Sequence, residues 1–112
     1  MTIEQTRVID FIADDAANGI SSLVITDHLE WDATQPNHLL LLQEKINTYI
    51  TFFESGEIFE TREHLHKRAL RVKVVGLYPL SSEAQAFYKR VREVLQSIGL
   101  DLEFELTEHA LD

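Results

Sequence analysis

Leu39, Leu42, Ile46, Tyr49, Ile50 and Phe53 recur at spacings of three and four, which places them along one stripe of an α-helix. Such a stripe has to be buried against another element, so it constrains the fold more than any other segment of the chain. The helix it predicts runs from Asn37 to Ser55. Pro36 fits the first turn after a Thr34 cap, where its missing N–H costs no hydrogen bond, and Gly56 is a natural stop. Gln43, Glu44, Asn47 and Thr51 face away from the stripe, with Lys45 solvated beside Glu44. Leu40, Leu41 and Phe52 widen the apolar surface beyond what one sheet contact requires, so this helix is also expected to touch a second chain or the Ile58–Phe59 segment.

The surface it covers is a sheet. Residues 8–13 and 20–26 are rich in β-formers and flank Asn18-Gly19, a dipeptide suited to the positive φ angles of a tight hairpin turn. Residues 57–68 are polar, show neither period and read as a long loop. Leu70, Val72 and Val74 then alternate with Arg71 and Lys73 as a half-buried strand. After Tyr78-Pro79, a second helix capped by Ser81 or Ser82 carries Ala84, Phe87, Tyr88, Val91, Val94, Leu95 and Ile98 until Gly99. Leu102, Phe104 and Leu106 alternate with Asp101, Glu103 and Glu105 in a last strand.

The order is ββαβαβ, which gives an α+β two-layer sandwich: a four-stranded mixed sheet with two helices on one face. Short strand–helix–strand connections are right-handed crossovers, so strands three and four should be parallel. Arg71 and Lys73 against Glu103 and Glu105 predict cross-strand ion pairs on the opposite face. In the first hairpin apolar residues point both ways, with Asp10 between Ile9 and Phe11. An apolar patch there predicts a homodimer, unless a loop or the chain's ends fold over it. A buried Asp10 would need a basic partner such as Arg7 or Lys73.

At 112 residues and 45% hydrophobic content the chain suits one domain, residues 1–112. It has no cysteine, which excludes disulfides and thiolate chemistry and makes a cytoplasmic location the default expectation. The start lacks a signal-peptide pattern, and no apolar run suggests a membrane span. A formal charge of −9 argues against nucleic acid and anionic lipid. That charge is unevenly placed: eight of the ten Lys and Arg lie between residues 61 and 100, while both ends are acidic. Neutralisation between segments is the expected use, with a polar docking surface as the alternative.

Chemical motifs are absent in any strong form. His64-x-His66 beside Glu63 is a weak candidate metal site without a third matched ligand. Asp10, Asp27 and Glu44, with Lys45 beside the glutamate, form a second constellation, faintly like the acid pair and Glu-x-Lys of metal-dependent nucleases. The Glu44-Lys45 pair, however, lies within a helix instead of on a strand. No catalytic residue and no cofactor is expected from these patterns.

Residues 8–11, the segment 23–31 ending Asp27-His28-Leu29-Glu30-Trp31, and the helix Leu39 to Asn47 with Gln43-Glu44-Lys45 together resemble a family of small bacterial domains of unknown function. The resemblance supplies no catalytic residue. It directs attention to Asp27, His28, Trp31, Gln43, Glu44, Lys45 and Asn47, expected to gather as a binding site where strand two meets the first helix. The function expected is that of an acidic, non-catalytic protein-interaction module, like immunity or antitoxin proteins that mask a basic protein partner. The alternative is a small metal-dependent hydrolase using Asp27, His28 and Glu44.

Overall fold

The computed structural model describes Ile3 and residues 11–15, 17–31, 37–62, 65 and 68–107. Seven elements follow one another: β1 (Phe11–Asp15), β2 (Ile20–Asp27), α1 (His38–Glu54), α2 (Glu57–Thr61), β3 (Ala69–Gly76), α3 (Ser82–Ser97) and β4 (Leu100–Leu106). The sheet has the order β1-β2-β3-β4, with β1 antiparallel to β2 and the other two pairings parallel. The mixed four-stranded sheet and the α+β class are as the sequence predicts, including parallel β3 and β4.

Three elements differ from expectation. The hairpin's first strand is described from Phe11 and runs on through Asp14 and Asp15; residues 8–10, including Asp10 and its proposed pairing, lie outside the described part. These two acids are poor β-formers, but pairing and side-chain bonds hold them. Ser21 Oγ donates to Asp14 Oδ1 over 2.6 Å. Asp15 Oδ1 accepts the N–H groups of Ala17 and Asn18, and its Oδ2 accepts from the Asn18 amide at 2.8 Å. That side-chain bond, foremost, holds the Asp15 carboxyl below its ordinary value. Gly19 takes the positive φ of 66° the turn needs. Second, the stretch read as loop opens with the short helix α2, so the described residues hold three helices. Third, α1 starts at His38 with Asn37 as a cap that makes no side-chain bond; Thr34 and Pro36 are not among the described residues.

The core forms where the odd-numbered residues of β2 and the even-numbered residues of β3 and β4 share one sheet face, since register pairs Leu23 with Val72 and Val72 with Leu102. Leu42, Ile46 and Tyr49 of α1 and Phe87, Tyr88 and Leu95 of α3 join them in one buried cluster, together with Ile3 and Ile58. Tyr49 is anchored by donating its hydroxyl to Val24 O at 2.6 Å. Ser81 caps α3 by accepting Ala84 N–H, which satisfies one of the helix's orphan donors.

The other sheet face is charged and paired. Arg71 meets Glu103 at 2.9 Å and Lys73 meets Glu105 at 3.2 Å, the cross-strand pairs that alternation predicts. Val24 and Ser22 point to this face yet are buried, because Lys73 and Arg71 of β3 stand beside them in register; Arg71 Nε also donates to Ser22 Oγ. Val24, one member of the apolar patch expected there, is thus covered by the chain's own side chains; Ile9 and the side chain of Phe11 lie outside what is described.

Candidate functional site

β2 ends in a carboxylate whose surroundings are unlike any other in the described chain. Asp27 is 1% exposed and His38, the first residue of α1, 2%. Asp27 Oδ1 accepts Leu29 N–H, turning the chain out of the strand. Its Oδ2 lies 2.6 Å from His38 Nε2, and His38 Nδ1 lies 2.8 Å from the carbonyl of Glu30. A backbone carbonyl only accepts, so Nδ1 carries a proton; one further proton holds the contact between Nε2 and the carboxylate. Wherever that proton sits, the pair as a unit is neutral, which is the condition for burying it. Trp31 closes the site by stacking on the imidazole, with ring centroids 3.5 Å apart at an interplanar angle of 17°.

A second buried polar group lies near by. Tyr88 of α3 packs edge-on against Phe104, with centroids 5.7 Å apart, and its hydroxyl has no hydrogen-bond partner among the described residues. Burial, and then the negative charge of Asp27, push the phenol well above its ordinary pKa. Gly76, at the matching end of β3, leaves room for this packing: a Cβ there would come 2.8 Å from the Phe104 ring.

The residues expected to gather here are instead divided. Asp27 and Trp31 do meet, around His38. His28 is half-buried beside them in the chain. Lys45, expected in solvent, is fully buried on the sheet side of α1, with Nζ 5.8 Å from the Tyr49 ring centroid. Glu44, one residue earlier, is exposed and about 100° round the helix from Lys45. The constellation of Asp27, His28 and Glu44 therefore does not converge, since the Asp27 carboxylate is buried and Glu44 faces solvent. Gln43 and Asn47 are exposed and line a groove between α1 and α3. His64 and His66 lie outside the described residues. Among those described, no group of three His, Asp or Glu is placed to hold a metal ion.

Periodicity could have found His38 and Lys45. Stepping back from Leu42 by four reaches His38, and stepping on by three reaches Lys45, so both lie on the stripe that ends at Tyr49. A titratable residue on a buried stripe demands a partner, and for His38 the carboxylate at the end of β2 supplies it.

The α1–α3 groove has a volume of about 310 Å³. Leu39, Ile46 and Ile50 form one wall and Phe87, Val91 and Val94 the other; Gln43, Asn47 and Arg90 are its polar members. The groove takes up residues that the sequence assigned to the sheet contact, namely Leu39 and Ile50. Elsewhere the uneven charge is used internally. Besides the two pairs on the sheet face, Arg92 holds Asp101 at 2.9 Å, and Arg68 reaches Asp14 at 3.9 Å while donating to backbone carbonyls of Asp15 and Ile20.

These features define a small α+β domain with one closed, neutral His–Asp pair and one open helical groove. The chain belongs to a family of unknown function, DUF6572, whose model matches residues 1–108. No curated protein and no solved structure matches it. No helix among the described residues is long and apolar enough to cross a membrane.

Proposed function

We propose that this chain is a non-catalytic, acidic protein-interaction module that acts as a cytoplasmic homodimer and takes a basic protein partner, in the manner of immunity or antitoxin proteins. One observation carries the non-catalytic part: both ring nitrogens of His38 are occupied by internal groups, Glu30 O and Asp27 Oδ2, beneath the Trp31 ring. A general base needs a nitrogen within reach of a substrate proton, and this imidazole offers none. The pair reads as a pin that ties the end of β2 to the start of α1. The choice of a basic partner follows from the charge of −9, because complementary fields speed encounter and reject wrong partners.

The test is affinity capture from the source cells followed by reconstitution from purified components. A basic protein recovered in stoichiometric amount, and rebinding when purified, is the expected result. A chain that captures nothing reproducibly, yet gains thermal stability with Mg²⁺ or Zn²⁺, would sink the proposal and revive the metal-dependent hydrolase.

A further inference from the structure

The α1–α3 groove differs from the rest of the surface in its charge. Its lining contains no carboxylate, although the chain as a whole carries −9. Its one charged member, Arg90, has no acid partner among the described residues, in contrast to Arg68, Arg71, Lys73 and Arg92. A basic segment laid into this groove would bring its cations against Arg90. What suits it is a helix with an apolar side chain to enter the groove and a carboxylate to meet the guanidinium.

The chain itself carries such a helix. Along the outer side of α1, Leu40, Glu44, Asn47 and Thr51 follow at spacings of four, three and four, so they form one stripe. Leu40 is 52% exposed, Glu44 is exposed, and no cation shares the stripe because Lys45 is buried. Across the groove, Val94 of α3 is 55% exposed. Of the four large apolar side chains left exposed in the described part, Val94 lines this groove and Leu40 stands on the outer side of the helix that forms its other wall. An acidic, Leu-bearing helix beside a carboxylate-free groove is self-complementary, which is the requirement for a two-fold contact between identical chains. Each α1 then lies over its partner's groove, and the contact forms twice. The general repulsion between two acidic chains is screened beyond ~8 Å at physiological ionic strength, so the local complement decides.

We infer that the α1–α3 groove seats a second copy of this chain, the outer stripe of α1 from one protomer docking between α1 and α3 of its partner with Arg90 facing an α1 carboxylate. This rests on the reading of the chain as a self-associating interaction module and names the face it uses.

Sedimentation velocity on the full chain over a micromolar concentration series tests it, with Val94→Asp, Arg90→Glu and Leu106→Ser compared. Val94 and Arg90 are both exposed, so neither substitution disturbs the core, and circular dichroism confirms the fold; should Val94→Asp fail to fold, Arg90→Glu decides. The expected result is a wild-type dimer whose Kd rises by about tenfold or more in Val94→Asp and in Arg90→Glu. Leu106→Ser, at the exposed end of β4, leaves it unchanged. A dimer indifferent to both groove substitutions overturns the groove as its seat while leaving self-association intact. A chain monomeric throughout overturns both, and capture of a basic partner by that monomer would still support the interaction module.

Discussion

Two tyrosines in the same core make opposite predictions. Tyr49 donates to Val24 O at 2.6 Å, whereas the buried Tyr88 hydroxyl has no partner among the described residues. A buried hydrogen bond contributes about 1 kcal/mol net, and a buried polar group left unpaired costs about 1–3 kcal/mol. Tyr49→Phe should therefore lower the unfolding free energy by about 1 kcal/mol. Tyr88→Phe should leave it unchanged or raise it by about 1 kcal/mol, read from urea midpoints at constant slope. His38 gives a chemical counterpart. With Trp31 stacked on one face and both nitrogens engaged, it should resist diethylpyrocarbonate in the folded chain and become labelled only on unfolding, as mapped by mass spectrometry. Ready labelling of native His38 would mean that the site is open. The state of Tyr88 is not legible in the sequence: it lies on a regular apolar stripe, and whether its hydroxyl finds an acceptor depends on where α3 sits relative to β2 and β4. Periodicity places His38 on the buried stripe, four residues before Leu42, but its stacking partner and both hydrogen-bond partners are set by tertiary contact.

Among the elements, those with a clean period were the ones the sequence placed well. The C-terminal end of α1, the alternation in β3 and β4, the Ser81 cap and the turn at Gly19 all follow from local chemistry. α2 did not, because its five residues are too few to display a helical period, and Ile58 becomes a core residue only through tertiary contact. The strand character of Asp14 and Asp15 likewise comes from pairing with β2 and not from propensity. Between α3 and β4, Arg92 bonds to Asp101 through two nitrogens. That guanidinium, foremost, holds the Asp101 carboxyl below its ordinary value of 3.8. A lowered folded value means that the stabilisation is complete above 3.8 and is lost as pH falls through the folded value. Asp101→Asn should therefore cost stability near neutral pH and nothing at strongly acid pH. The neutral-pH loss is under about 1 kcal/mol, because both partners are about half exposed and the pair is screened by solvent. Equal differences at both pH values would show that the pair does not form.

For the molecule as a whole, the surface divides by charge and by use. Four cations of the basic middle segment are taken up by internal acids, as the uneven sequence charge suggests, and the net excess of carboxylate remains for other partners. The helical groove was not foreseeable, because it exists only when two helices distant in sequence lie side by side, and its lining mixes residues that periodicity assigned to the sheet. The candidate site was legible in part: Asp27 and Trp31 were singled out and do meet, while Gln43 and Asn47 belong to the groove, and Lys45 to the core. If the function resides in an acidic surface instead of in the closed His38–Asp27 pair, binding must respond to ionic strength. Calorimetric titration of the chain with its captured basic partner, at low and at physiological salt, is the most direct measurement. Stoichiometric binding that weakens as salt rises is expected, with Asp27 and His38 unperturbed by the partner in NMR spectra. Binding indifferent to salt, or a partner that displaces Glu30 or Asp27 from His38, would contradict this expectation.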